Sequence, residues 1–295
     1  MNNIDVSVVI VNYNTLQMTN DCITSLTKFT SNNLIEIIVI DNASTDGSNA
    51  FFSKDKRIKY IYSEENLGFG RANNVGIELS SGKYIFMLNS DTILLDDIIA
   101  KLFNFAEANQ NNLGAVGTCL INNEKKDALS FGLFLTPRRI YRRLLENIGF
   151  YKNTFEAEIY SRIETKGYAE VDFISGADLF VPKSIFDIIN GFDSDFFMYY
   201  EETDLQKRMD VAGLKRYSIN QRDIIHLEGG SFGGDLPFKR KMLMTKGMKL
   251  YINKHFSSLS KIHIMLLCLL MLFKDLIKLD YSKQQKTTII KEFLK

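Results

Sequence analysis

Between residues 6 and 120, apolar runs of strand length alternate with stretches of helical spacing, and this rhythm constrains the fold more than any other feature. Strands are expected at 6–11, 35–40, 58–62, 84–88 and 115–120, with helices at 16–29, 70–79 and 98–108. The run 84–88 is apolar at every position and has no face to give to water, and the alternation of strands and helices calls for a parallel sheet covered on both faces. The expected class is therefore α/β with a mostly parallel central sheet. From 122 to about 170 the pattern weakens: residues 131–135 are apolar, and Arg138, Arg139, Arg142 and Arg143 follow. An irregular or partly helical insertion is expected there. Order returns at 171–174, then as helices over 183–189, ending at Gly191, and 203–212, ending at Gly213. The last sixty residues read as helical.

In open α/β sheets ligands bind outside the carboxyl ends of the strands, so the residues following each strand carry the functional reading. The run Tyr84-Ile85-Phe86-Met87-Leu88 passes straight into Asn89-Ser90-Asp91. Two readings stand for Asp91: a carboxylate holding a divalent cation and, through it, a phosphate, or the N-cap of a helix near 95–109. Asp41-Asn42-Ala43-Ser44-Thr45-Asp46-Gly47-Ser48 follows the second strand. It suits a ribose or base edge, and equally an Asx-turn. Asn66-Leu67-Gly68-Phe69-Gly70 feeds a helix start where free N–H groups favour anions, but it is neither a Walker loop nor a dinucleotide fingerprint. Phe196-Phe197-Met198-Tyr199-Tyr200 abuts Glu201, Glu202 and Asp204. Acids beside aromatics gain raised pKa values, which suits a general base near neutrality, although acids at a helix start also complement its dipole. Gly176-Ala177-Asp178 and His226, which opens a glycine-dense loop running to residue 234, complete the set.

Composition narrows the classes. A net charge of +1 gives no general case for nucleic acid. Cys22, Cys119 and Cys268 are far apart and lack metal-ligand spacing, which points to a reducing compartment without structural zinc. The start, Met1-Asn2-Asn3, has no basic and apolar leader pattern, so no export signal is expected.

In order and spacing these stretches resemble inverting family 2 glycosyltransferases of the GT-A fold, over residues 6–234. The resemblance implies a nucleotide site formed by Val11, Asn12, Tyr13, Asp41, Asn42, Ser44, Asn66, Gly68, Asn73, Asn89 and Ser90. It implies an acceptor side at Gly176, Ala177, Asp178 and Asp204, with Asp204 alternatively organising the helix start. It implies a divalent cation, Mg²⁺ or Mn²⁺, on Asp91 and His226, and Glu202 as the base with Glu201 as the fallback. The chain departs from the family in having Asn89 where a first metal-site Asp is usual, and Glu202 where the base is usually Asp. The opening Val-Asn-Tyr-Asn with Leu-Asn-Ser-Asp and Phe-Phe-Met-Tyr is most similar to rhamnosyltransferase-type enzymes of bacterial surface polysaccharides. That implies dTDP-rhamnose or a UDP-sugar as donor and a lipid-linked acceptor. Residues 1–236 then form the transferase domain, with 1–121 the nucleotide-binding half and 122–236 the acceptor-binding half. Two alternatives are a nucleotidyltransferase, against which Asn12-Tyr13-Asn14-Thr15 argues, and a non-catalytic sugar-nucleotide or glycan-binding subunit.

The tail, 237–295, carries 13 Lys and Arg against 3 Asp and Glu, while the remainder carries 23 against 32. Its longest uncharged apolar run, 264–273, is too short to span a bilayer. The segment 257–279 reads as an interfacial helix on the anionic inner face of the cell membrane, or as a helix packed on the domain or on a partner in a homodimer. A cytoplasmic, peripheral location is expected.

Overall fold

The computed structural model describes residues 4–30, 35–146, 154–227, 236–278 and 281–294. The first elements are β1 (Val6–Asn12), α1 (Leu16–Phe29), β2 (Ile35–Asn42), a short α2 (Ser48–Phe52), β3 (Lys59–Ser63), α3 (Phe69–Glu78) and β4 (Tyr84–Leu88). The second group is β5 (Thr92–Leu94), α4 (Ile98–Ala108), β6 (Leu113–Gly117), β7 (Phe131–Gly132), α5 (Pro137–Glu146) and α6 (Thr154–Lys166). Then come β8 (Tyr168–Glu170), β9 (Phe173–Ile174), β10 (Asp178–Pro182), α7 (Lys183–Ile189), α8 (Glu201–Val211), β11 (Lys215–Ile219) and β12 (Ile224–His226). The tail forms α9 (Leu236–His255), α10 (Ser258–Lys278) and α11 (Lys283–Leu294).

Eight strands make one sheet in the order β3-β2-β1-β4-β10-β6-β11-β8. β3, β2, β1 and β4 are mutually parallel. The chain builds outward from β1 to β3, then returns to lay β4 on the other side of β1. Such a reversal of strand order opens a crevice at the carboxyl ends of the two strands. Asn12 and Asn89 stand at the two ends that form it. The all-apolar run of β4 is explained by its neighbours on both faces. Tyr84, Phe86 and Leu88 enter one core with α1 and α4, while Ile85 and Met87 enter another with α7 and α8. Each such side chain contributes roughly 1.5–3 kcal/mol by burial, so the floor beneath residues 89–91 is stiff.

Three expectations are corrected. Asp91 does not cap a helix: β5 follows it, and Asp97 caps α4, its carboxylate accepting from Ala100 N at 3.1 Å. The strand expected at 115–120 ends at Gly117, because the chain there turns so that Thr118 bonds Asp178. β10 was not anticipated, yet it runs antiparallel between β4 and β6. Its five residues end in proline, a poor strand former tolerated at strand ends, and its turn-like approach through Gly176 hides it further. β11 and β12 likewise escaped the pattern reading.

The tail builds a third core from Ile252, Ile264, Leu267, Leu272, Ile289 and neighbours, and it recruits Ile140 of α5. No helix among the described residues is long and apolar enough to cross a membrane.

Candidate active site

One side of the candidate cleft begins where β1 and β2 end in register, Asn12 opposite Asp41. Asn12 Nδ2 donates to Ser44 Oγ at 3.1 Å, and its Oδ1 accepts from the hydroxyls of Thr15 and Thr19 at 2.8 and 2.9 Å. Thr15 Oγ1 in turn lies 3.1 Å from Ser90 Oγ, tying the end of β1 to the end of β4. The fully buried Asp41 accepts from Ser44 N at 2.9 Å and from the Tyr60 hydroxyl at 2.5 Å. Asn42 holds the next loop, accepting from Leu67 N at 2.7 Å and donating to Asn66 Oδ1 at 3.0 Å. Asn14 and Ala43 adopt left-handed backbones, φ 55° and 66°. For alanine that conformation is strained and needs surrounding structure to hold it.

Gly68 carries the rim across to the acids. Its φ is +81°, and a Cβ there would sit 2.1 Å from the Phe197 carbonyl oxygen. The adjacent Phe69 N donates to that same oxygen at 2.9 Å. Glu201 and Glu202 open α8 just beyond. A Cβ on Gly70 would lie 3.5 Å from Glu201 Cβ, and one on Gly176 would lie 3.8 Å from Glu202 Cβ. The next residue, Ala177, accepts from Asn89 N at 3.0 Å, returning to the end of β4. The motifs thus close into one circuit: Asn12 and Ser44, Asn42, Asn66 and Gly68, Phe197 to Glu202, Gly176 and Ala177, Asn89 and Ser90, then Thr15 and Asn12 again.

His226 joins this circuit through β12, which pairs with β5 so that His226 faces Thr92. Leu227 N donates to Asp91 O at 2.9 Å, and His226 Nε2 lies 3.3 Å from Asp91 Oδ1. Both side chains are largely buried, at 14% and 13% exposure. Among the described residues no group of three or more His, Cys, Asp or Glu is placed to hold a metal. One carboxylate and one imidazole fit a divalent ion whose remaining ligands come with a diphosphate, not an ion held by protein alone. The glycine-dense stretch at 228–234 lies outside the described residues.

The two glutamates differ. Glu201 is 3% exposed, and its Oε2 has no hydrogen-bond partner among the described residues. Burial, and then the charge of Glu202, hold its carboxyl well above the ordinary range. Glu202 is half-buried and is raised mainly by burial. Phe196, fully buried, and the half-buried Tyr199 belong to the aromatic run that precedes them.

Other expected site residues lie beneath the rim. Asp178 is fully buried, pushed up to about 7 by burial, and its Oδ2 accepts from Thr118 N and Oγ1 at 2.6 and 2.7 Å. Asp204, 1% exposed, accepts at Oδ1 from His255 Nε2 at 2.7 Å and at Oδ2 from Arg208 Nε at 2.9 Å. Asn73 is buried and donates to Phe69 O at 3.0 Å within α3. Four residues escaped sequence reasoning: Thr15, Tyr60, Thr118 and His255. Thr15 alone carried a signal, because it follows Asn12-Tyr13-Asn14 at a strand end.

Residues 7–163 match the family described as "Glycosyl transferase family 2". The chain belongs to this family. It is similar to the glycosyltransferase GlyG of Streptococcus pneumoniae, 28% identical over 185 residues that cover 58% of this chain and 60% of that protein. It is similar to the rhamnosyltransferase WbbL of Escherichia coli K12, 28% identical over 167 residues that cover 54% of this chain and 60% of that one. The alignments thus span about three-fifths of the length of these two curated relatives. A crystal structure of S. aureus TarS, residues 1–349, matches 99% of this chain and 71% of that chain with a TM-score of 0.55 at 13% identity. At that identity the likeness concerns the fold, and it agrees with the GT-A architecture.

Proposed function

We propose that the protein is a metal-dependent, inverting glycosyltransferase that moves a sugar from a nucleoside-diphosphate donor to a hydroxyl of a growing bacterial surface glycan. The observation that carries this reading is the closed circuit that joins Asp91 with His226 to the paired glutamates at one end of the sheet. Asn12, Asp41, Asn42 and Ser44 shape the donor crevice. A divalent ion held by Asp91 and His226 would offset charge on the leaving diphosphate. Glu202 is the base: it is less buried than Glu201, lies beside Gly176, and burial raises its carboxyl above the ordinary range, which makes it a stronger base. The acceptor O–H proton passes to its carboxylate. The oxygen bonds to the anomeric carbon as the bond to the diphosphate breaks, and the electron pair leaves with the diphosphate. Configuration inverts. Asp178 and Asp204 support this reading as residues that hold the rim from below.

Similarity to a named rhamnosyltransferase makes a nucleoside-diphosphate rhamnose the first donor to try, with UDP-sugars next. α10 bears on the acceptor. Leu259, Ile262, Leu266, Leu270, Phe273 and Ile277 are exposed at three- and four-residue spacing, one stripe opposite the packed face. With the basic excess of 237–295, this stripe suits an anionic membrane surface carrying a lipid-linked acceptor. Two such basic tails repel one another, which disfavours a second copy as the occupant. The test is transfer from a panel of nucleotide sugars with Mg²⁺ or Mn²⁺ present. Turnover with one donor, lost in chelator, is expected. Absence of turnover and of nucleotide binding across the panel would contradict the reading.

A further inference from the structure

The first turn of α8 rests on unusual backbone. Tyr199 and Tyr200 are both left-handed, φ 68° and 73°, and Tyr200 is the N-cap residue of α8. The support comes from α9, some fifty residues later. A Cβ on Gly247 would lie 2.2 Å from Tyr199 O, so the α9 backbone lies directly against that carbonyl. Arg240 sits 5.9 Å over the Tyr199 ring. Tyr251, fully buried, meets Tyr200 at 5.7 Å between ring centres and His255 at 4.6 Å. Lys254 Nζ lies 2.7 Å from both Asp193 and Asp195, ahead of the tyrosines. His255 Nε2 lies 2.7 Å from Oδ1 of Asp204, whose backbone N donates to Tyr200 O at 2.8 Å. These five α9 residues share one face of the helix, and all of them meet the segment 193–204 that carries the glutamates.

We propose that α9 is a brace for the catalytic turn, and that His255 is a positioning residue acting on Glu202 through Asp204. The imidazole fixes the Asp204 carboxylate. That carboxylate and the Asp204 N–H fix the first turn of α8, two and three residues from Glu202 and Glu201. The brace lies outside residues 7–163, in a part of the chain that the family match does not reach. A base displaced by about 1 Å can lose about 100-fold in rate, so a contact this remote can govern turnover.

The effect on turnover rests on Glu202 being the base, and the test separates the two ideas. Hydrogen exchange over 196–206 is measured for the full-length wild type and for His255→Ala, His255→Gln and Lys254→Met. Exchange there is expected to rise about tenfold or more in His255→Ala, to stay near wild type in His255→Gln, which keeps a donor for Asp204, and to rise less in Lys254→Met. With an active donor in hand, kcat is expected to fall about 10–100-fold in His255→Ala with donor KM unchanged, and to be restored in His255→Gln. Unchanged exchange over 196–206 in both His255→Ala and Lys254→Met would overturn the brace. Changed exchange with wild-type kcat would overturn the positioning role. Changed exchange in a chain with no transferase activity would leave the brace standing and overturn the function.

Discussion

The two sides of the cleft are held in opposite ways. On the donor side, Asn12, Asp41, Asn42 and Ser44 satisfy one another and their own loops within about 3 Å, through residues close to the strand ends. On the acid side, Glu201 and Asp178 each keep a buried oxygen without a hydrogen-bond partner among the described residues, and two consecutive tyrosines are left-handed. A satisfied network is rigid by itself. Strained backbone persists only when other structure holds it, and at Tyr199 and Tyr200 that structure is α9. On the proposed reading, the donor side is preorganised locally, and the acid side is kept poised from a distance with the raised carboxyl pKa values that a base needs.

The largest expected effect lies on the acid side. Glu202→Gln should lower transfer by about 10²–10⁴-fold, read as product formed per unit time, while melting stays close to wild type. In the wild type the rate should rise with pH as Glu202 loses its proton, and the raised pKa sets that limb above the ordinary glutamate value of about 4.3. Next comes the seam between the sides. Gly68→Ala puts a methyl group 2.1 Å from the Phe197 carbonyl at φ +81° and should cost about 3 kcal/mol in denaturant unfolding. A cost below 1 kcal/mol would mean the two loops do not meet as described. Asn42→Ala strands the Leu67 N–H and should cost about 1–3 kcal/mol. An equal cost for donor-side and acid-side substitutions at matched burial would erase the contrast. The smallest effect is a gain: Ala43→Gly relieves a left-handed alanine and should stabilise by about 0.5–1 kcal/mol.

The same contrast explains what the sequence made legible. β1 to β4 were readable because each has a largely apolar centre, and the proposed donor residues because they sit at or just after strand ends. The proposed roles of Asp91 and Glu202 were suggested by their place after a strand and after an aromatic run. His226 was found through the resemblance and its glycine-dense neighbour, although its meeting with Asp91 depends on β12, a three-residue strand that no periodicity marks. β10 was hidden by its shortness and its proline. Tyr60 and His255 were invisible for a different reason: each bonds a carboxylate distant in sequence, Asp41 and Asp204 respectively, and no local pattern encodes such a contact.

The central claim is that Asp91 and Glu202 serve one cleft in different roles. The most direct measurement is the Mn²⁺-dependent thermal shift induced by the nucleoside-diphosphate donor, taken side by side with turnover for wild type, Asp91→Ala and Glu202→Gln. The expected result is that Glu202→Gln keeps the metal-dependent shift and loses turnover, while Asp91→Ala loses both. Full turnover in both variants, or a metal-dependent shift that survives in Asp91→Ala, would contradict it.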